Sequence, residues 1–181
     1  MRIISGEFKG RRISAPKNLP VRPTTDMAKE SLFNILNNHY YFDEISVLDL
    51  FSGTGNISYE FASRGTEKIT AVDSHYGCVK FISATADDFS MPITAIKGNV
   101  FKYLETLKQQ HTVIFADPPY NFELDQFIKI PTLVFKNELL SANGLLIIEH
   151  SKHTDLSNLE HYNYSKSYGG NMFSFFEMDK D

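Results

Sequence analysis

The tetrapeptide Asp117-Pro118-Pro119-Tyr120 places a carboxylate, two prolines and an aromatic ring in consecutive positions. It follows the apolar run 112–116, which predicts that it lies at the carboxyl end of a buried strand. An amine on a nucleobase ring is a poor nucleophile because its lone pair is delocalised into the ring. The Asp117 carboxylate can accept one amine hydrogen, and the Pro118 carbonyl, held by the Pro119 ring, can accept the other.

Tyr120 adds a face on which a base can stack, a contact worth roughly 1 to 3 kcal/mol per base. The four residues therefore predict a catalytic site for methyl transfer to a planar amine, and this chemistry needs no metal. The alternative is an ordinary strand-ending turn, which Asp-Pro-Pro also favours.

A second segment, residues 49–56, follows another apolar run and opens a predicted helix. Gly53 and Gly55 allow a tight turn and a close approach of backbone to ligand, and the helix presents its first N–H groups. The third glycine of a nicotinamide-binding fingerprint would fall at position 58, which is Ser58, so a loop that binds an amino-acid moiety is favoured. We interpret the segment as cofactor-binding through Asp49, Phe51, Gly53 and Gly55, although a Gly-x-Gly pair also occurs in plain tight turns.

Three further positions are predicted from their places after strands. Asp73 follows Gly53 by 20 residues, where a carboxylate can accept hydrogen bonds from ribose hydroxyls. Asn99 and Val100 follow the next strand and are predicted to contact the adenine ring. Each polar residue also has a structural alternative, since Asp73 or Ser74 could cap a helix and Asn99 could be a cap or turn residue.

The remaining pattern alternates apolar runs with helical periodicity. Thr24 to Asp26 offer helix caps before apolar positions with helical spacing. The predicted strands are 46–50, 68–72, 93–97, 112–116, 144–150, 162–168 and 172–178, and the predicted helices after the first are 56–63, 76–88, 101–108 and 124–137. Gly169 and Gly170 between the last two strands indicate a hairpin. The fold class is therefore α/β: a doubly wound, mostly parallel sheet of the class I methyltransferase (Rossmann-like) type, with a C-terminal antiparallel hairpin.

Composition limits the classes of protein. The 181 residues, with 22% charged residues, predict one domain over 1–181, and no apolar stretch approaches the length of a membrane span. A single cysteine and the absence of a signal peptide pattern predict a cytoplasmic protein without a disulfide framework or a cysteine metal site. A monomer is favoured.

Charge is unevenly distributed. The net charge is -4, yet residues 1–30 contain seven lysines and arginines against three acids. The runs 2–5 and 11–14, separated by a turn from Gly6 to Gly10, predict a basic N-terminal β-hairpin within an extension that covers residues 1–23, ahead of a catalytic core at 24–181. Its charges are read either as a solubilising surface or as a footprint for phosphates.

The motif pair resembles that of S-adenosylmethionine-dependent amino-methyltransferases. Segments 2–6, 10–12, 22–26, 30–34 and 49–55 resemble the RsmD family over most of the chain. The resemblance implies methylation of the N2 amine of one guanine in small-subunit (16S) ribosomal RNA, with naked RNA or an assembled subunit as the partner. It also implies S-adenosyl-L-methionine as the cofactor and phosphate contacts by Lys9, Arg11, Arg12 and Arg22.

Other functions remain open at this point. DNA amino-methyltransferases share both motifs but usually carry an added domain that reads the DNA sequence, for which 181 residues leave little room. A non-catalytic RNA-binding module and a nicotinamide-dependent enzyme are the alternatives from other classes.

Overall fold

The computed structural model describes residues 1–21 and 24–178 of the chain. Within these residues the helices are α1 (Asp26–Asn37), α2 (Asn56–Ser63), α3 (Tyr76–Phe89), α4 (Val100–Thr106) and α5 (Leu124–Lys136), with a short 3-10 helix at Phe42–Glu44. The strands are β1 (Ser46–Leu50), β2 (Lys68–Asp73), β3 (Ile93–Lys97), β4 (His111–Ala116), β5 (Leu140–Ser151), β6 (Tyr162–Tyr168) and β7 (Asn171–Phe176).

The strands form one sheet in the order β3-β2-β1-β4-β5-β7-β6. The first five are parallel, whereas β7 pairs antiparallel with both β5 and β6. This is the predicted doubly wound sheet with a C-terminal hairpin, so the class I methyltransferase fold is confirmed. The strand order reverses between β1 and β4, and ligands bind at the carboxyl ends of strands at such a point.

The sheet has an apolar layer on each face because side chains alternate along every strand. On one face Val47, Phe115 and Ile147 pack with α1, α2 and α3. On the other, Leu48 and Ile148 pack with α4 and α5. Asp49 therefore points toward the α1 and α2 side of the sheet. By the same alternation, Asp117 and Glu149, which follow Phe115 and Ile147 by two residues, point to that side as well.

The N-terminal segments 2–5 and 11–14 run antiparallel, as predicted. A bridge joins Arg2 and Arg12, and backbone hydrogen bonds flank it: Ile3 N–H donates to the Arg11 carbonyl at 2.9 Å, and Ile13 N–H donates to the Met1 carbonyl at 3.0 Å. This pairing is short, and the N–H groups of Ile4 and Ser5 donate to the Glu60 carboxylate of α2, at 2.9 and 3.0 Å. The first segment is thus attached both to its partner segment and to a helix of the core.

Gly6 shows how closely this extension is packed. Its φ is +84°, and a Cβ there would lie 1.8 Å from the Ser63 carbonyl oxygen. Ser63 Oγ also donates to the Ser5 carbonyl, and Phe8 N–H donates to Ser63 Oγ. Ile3 and Ile13 are buried in the core that α1 and α2 share. The extension and the sheet therefore have a common apolar core.

Strand and helix bounds differ from the predictions by small amounts, with one exception. Strand β5 begins at Leu140 instead of position 144, because Leu140 pairs with His111 before a register shift in β4. We find no helix, in the part of the chain that the structure describes, whose length and apolar content would let it cross a membrane.

Candidate active site

A cavity of about 710 Å³ opens at the carboxyl ends of β1, β2 and β4. Most of its lining comes from four segments: residues 19–21 of the N-terminal loop, the turn 51–54, the end of β2 at 73–75, and the tetrapeptide 117–120. The glycine turn and Asp117 thus face one cleft, as their positions in sequence predict. The cavity lies at the strand-order reversal, where a doubly wound sheet binds its ligand.

The turn after β1 has a backbone that suits close contact with a ligand. Phe51, Gly53 and Gly55 all have positive φ, at 55°, 54° and 85°. Gly55 does not line the cavity; a Cβ there would lie 2.9 Å from Ile82 and from the Tyr59 ring. Gly53 lines the cavity, and a Cβ there would approach Val21 to 3.3 Å. Gly55 therefore lets α2 pack closely against α3, while Gly53 lets Val21 of the N-terminal loop lie close to the turn.

Asp73 is built into the same turn. Its Oδ2 accepts the Gly53 N–H at 2.9 Å, and its Oδ1 accepts the His75 N–H at 2.8 Å. The N-cap residue of α3 is His75, so neither Asp73 nor Ser74 takes the capping position. Each carboxylate oxygen can accept a further hydrogen bond, and Asp73 lines the cavity.

Asp49 is almost fully buried beneath the turn. Its Oδ2 accepts a 2.6 Å hydrogen bond from Ser58 Oγ, at the position where a dinucleotide fingerprint has glycine. Burial raises the pKa of Asp49 to about 7, because the Ser58 hydrogen bond only partly offsets desolvation. Nearby, Ser52 Oγ is buried at the cavity wall without a hydrogen-bond partner among the described residues.

The tetrapeptide is tied to β1 through its backbone. Asp117 N–H donates to the Leu50 carbonyl at 3.3 Å, and Phe122 N–H donates to the Pro119 carbonyl at 3.1 Å. Burial raises the pKa of Asp117, and the neighbouring Glu149 and Asp49 raise it further. The Tyr120 side chain is 68% exposed at the rim, so its ring is free to stack with an incoming base.

Three residues near Asp117 are absent from the sequence predictions of the site. Glu149, at the end of β5, is buried, and it accepts hydrogen bonds from Asn171 Nδ2 at 2.8 Å and Thr24 Oγ1 at 3.1 Å. Burial raises the pKa of Glu149, and these two hydrogen bonds oppose the shift. One signal could have identified it: an acid directly follows the apolar run 145–148, as Asp117 follows the apolar run 112–116.

Asn99 and Val100 lie outside the cavity lining. Asn99 caps α4, and its Oδ1 accepts the Lys102 N–H at 3.1 Å, which is the structural alternative that the sequence allows. Val100 is buried in the apolar layer with α4 and α5. Their contact with an adenine ring stays a prediction.

The predicted RNA-contacting residues lie on the N-terminal extension. Lys9, Arg11 and Arg12 are exposed, and the Arg11 guanidinium lies 5.6 Å from the centre of the Phe89 ring. Arg22 falls outside the described residues.

The residues of the cavity fit S-adenosylmethionine. The molecule carries a sulfonium cation and an ammonium group, and the cavity presents the carboxylates of Asp49, Asp73 and Asp117 together with the unpartnered Ser52 hydroxyl. A bound cation would lower the electrostatic cost of ionising the buried acids. Within residues 1–21 and 24–178, no cluster of three or more His, Cys, Asp or Glu side chains is arranged to hold a metal ion.

Comparison with known proteins identifies the family. Residues 1–177 match the family described as Conserved hypothetical protein 95. The chain belongs to this family. A relative in Bacillus subtilis, YlbH, is 33% identical over 86% of this chain and 85% of its own length. A relative in Haemophilus influenzae, named Ribosomal RNA small subunit methyltransferase D, is 28% identical over 92% of this chain and 86% of its own length.

Solved structures share the fold of this family member. The Escherichia coli protein yhhF superposes with a TM-score of 0.86 at 22% identity, covering 100% of this chain and 99% of that chain. A Thermus thermophilus 16S rRNA N2 G1207 methyltransferase, solved with AdoMet and guanosine, has a TM-score of 0.67 at 16% identity; the match covers 89% of this chain and 45% of that chain. At these identities the likeness establishes the fold.

Proposed function

We propose that this protein transfers a methyl group from S-adenosyl-L-methionine to the exocyclic N2 amine of a guanine in small-subunit ribosomal RNA. The observation that carries the proposal is the single cleft shared by the glycine turn, with Asp49 and Asp73, and the tetrapeptide 117–120. Relatives in this family, such as the Haemophilus influenzae protein named Ribosomal RNA small subunit methyltransferase D, support ribosomal RNA as the substrate class.

When bound, S-adenosylmethionine supplies an electrophilic methyl group on a positively charged sulfur. Asp73, already oriented by the N–H groups of Gly53 and His75, holds the ribose hydroxyls. The backbone of residues 51–54 and the Ser52 hydroxyl meet the amino-acid moiety. Because Asp49 is buried beneath the turn, its negative charge favours a cationic ligand over a neutral one.

Asp117 and Pro118 act on the acceptor amine. The Asp117 carboxylate and the Pro118 carbonyl accept its two hydrogens, which directs the nitrogen lone pair out of the ring and toward the cofactor side of the cleft. Tyr120 stacks with the base at the exposed rim. Much of the rate arises from holding the two reactants in this geometry.

The RNA enters from the side of the N-terminal extension. A base in a duplex cannot present its amine to a cleft, so the target guanine is flipped out or unpaired. Lys9, Arg11, Arg12 and Arg22 contact phosphates, and residues 1–23 serve as an RNA-binding extension of the catalytic core at 24–181. The enzyme acts in the cytoplasm as a monomer.

Mass-spectrometric mapping of ribosomal RNA from a strain that lacks the gene tests the proposal. We expect one N2-methylguanine of the small-subunit RNA to be lost, and to be restored when the wild-type gene is returned. A full set of N2-methylguanines in the deletion strain would contradict the proposal. Calorimetry with S-adenosylhomocysteine and with NADH separates the nicotinamide-dependent alternative, for which only NADH would bind.

A further inference from the structure

Glu149 lies beside Asp117 at the same edge of the sheet. Ala116 of β4 pairs with Ile148 of β5, so the next residue of each strand stands at the same level. Both carboxylates point to the side of the sheet that holds α1 and α2. Glu149 is only 4% exposed, and burying an acid without a counter-charge costs free energy.

Two hydrogen bonds hold the Glu149 carboxylate in one orientation. Asn171 Nδ2 and Thr24 Oγ1 each donate to a different carboxylate oxygen. Thr24 is itself held, because its carbonyl accepts a 3.0 Å hydrogen bond from Asn56 Nδ2. A carboxylate held by two donors keeps free lone pairs and presents them as acceptors. Glu149 is thus a pre-positioned acceptor beside a second acceptor, Asp117.

A small recess adjoins the cofactor cavity at Asp117, Pro118 and Tyr120, and it contains both acids. It is lined by Asp117, Pro118, Tyr120, Glu149 and Asn171, among others, and has a volume of about 30 Å³. That space holds roughly one water molecule. This volume is too small for a whole ring, so a base that stacks with Tyr120 would reach it with its polar edge only.

The donors and acceptors on the base edges determine which base fits beside Asp117 and Glu149. Guanine is the standard base whose Watson–Crick edge presents two adjacent donors, N1–H and the N2 amine. Adenine and cytosine each place an amine beside a ring nitrogen with a lone pair, which would face the Glu149 oxygen and repel it. Two adjacent acceptors therefore match guanine and oppose the other amine-bearing bases.

We propose that Glu149 accepts a hydrogen bond from the N1–H of the target guanine while Asp117 and Pro118 hold its N2 amine, so that Glu149 determines the specificity for guanine. This inference rests on the proposed function and adds to it the residue that reads the base.

The test uses small subunits reconstituted from RNA that carries either guanosine or 2-aminopurine ribonucleoside at the mapped position. 2-Aminopurine keeps the 2-amino group but has a lone pair at N1 and no N1–H. Single-turnover transfer of a labelled methyl group gives the guanosine to 2-aminopurine rate ratio. We expect the wild-type ratio to be at least about 100, because a buried acceptor loses its partner.

Glu149→Gln should reduce this ratio about tenfold or more, since an amide can donate to the N1 lone pair. Asn171→Ala, which frees one Glu149 oxygen, should reduce it by a smaller factor and serves if Glu149→Gln does not fold. Glu177→Gln, a carboxylate-to-amide change outside both cavities, is the matched control and should leave the ratio unchanged. Calorimetry with S-adenosylhomocysteine reports whether each variant is folded.

An equal ratio in the wild type, Glu149→Gln and Asn171→Ala, or an equal loss of rate on both substrates, would overturn the role of Glu149 and leave the proposed function intact. Failure of the wild type to methylate the guanosine particles would instead overturn the proposed function, and this inference with it.

Discussion

Two regions of the molecule bury carboxylates, and they differ in whether the chain provides a cation beside the carboxylate. Glu60 of α2 is fully buried beside Lys29 Nζ at 3.3 Å and Arg64 at 2.9 Å, and it also accepts the N–H groups of Ile4 and Ser5. Asp49 and Glu149 are buried at the cleft and Asp117 is partly buried there, and none of the three takes part in an ion pair among the described residues.

The difference indicates what each region is for. Around Glu60 the cations are side chains of the protein itself, Lys29 and Arg64. Lys29 also attaches the N-terminal extension to α1 and α2, because its Nζ donates to the Arg2 carbonyl at 2.6 Å and to Asn56 Oδ1 at 2.8 Å. At the cleft, burial raises the pKa of three acids. Buried acids without a counter-charge in a pocket indicate a ligand site, because titratable groups with shifted pKa values concentrate at functional sites.

The largest expected effect comes from the cleft. Asp117→Asn should lower the single-turnover rate of methyl transfer about 1,000-fold, because the amide presents a weaker, neutral acceptor to the amine. Affinity for S-adenosylhomocysteine, measured by calorimetry, should remain within about threefold of the wild type. Asp125→Asn, an exposed acid at the start of α5, is the control and should keep full activity. Unchanged turnover in Asp117→Asn would remove the catalytic role of the carboxylate.

The Glu60 region should respond in stability instead. Glu60→Gln leaves Lys29 buried without its counter-charge, and we expect the free energy of unfolding, from urea denaturation, to fall by about 3 kcal/mol. Glu105→Gln, which breaks the half-exposed pair with Lys129, should cost at most about 0.5 kcal/mol. Equal urea midpoints for the two variants would mean that the buried pair does not hold the extension.

The pH dependence of stability sharpens the contrast. Burial raises the pKa of Asp49 from 3.8 to about 7, so the folded state retains a proton that the unfolded state has lost across this range. The contribution of Asp49 to the free energy of unfolding is therefore greatest below about pH 4. It is lost as the pH rises to about 7, and the loss is roughly 4 kcal/mol at most. Asp49→Asn should flatten the decline in urea midpoint over this range.

Only part of the decline should disappear in Asp49→Asn, because the raised pKa values of Asp117 and Glu149 have the same sign. The exposed Asp43→Asn serves as the control and should follow the wild-type curve. A wild-type urea midpoint that does not fall between pH 4 and pH 7 would argue against buried, unneutralised acids at the cleft.

The smallest effect concerns the outer side of the extension. Arg12→Ala should leave stability nearly unchanged but lower the slope of log affinity for RNA against log salt by roughly 0.7 to 0.9. Arg11→Ala should add a similar change, with a small loss of stability from its contact with Phe89. Lys136→Ala, on α5 at the opposite face of the sheet, is the matched control. A slope equal to the wild type would assign the arginines to solubility.

Periodicity and turn residues were sufficient to predict the sheet. Strand β1, helix α2, strand β3 and strand β6 begin and end at the predicted residues, because alternation and glycine positions are local signals. The antiparallel pairing of the N-terminal segments was predicted too, but their attachment to Glu60 of α2, a partner 55 and 56 positions away, was not. A contact over such a distance along the chain has no signature in a local sequence pattern.

The sequence by itself determined the fold class and the meeting of the glycine turn with the Asp-Pro-Pro-Tyr segment at one cleft, because strand ends, glycines and prolines act through short-range geometry. The tertiary structure alone decided which acids stand together. The register between β4 and β5 puts Glu149 level with Asp117. Thr24 and Asn171, from distant parts of the chain, donate hydrogen bonds to Glu149. Asn99 caps α4. Such neighbours depend on how strands align across the sheet, and no spacing along the chain encodes that alignment directly.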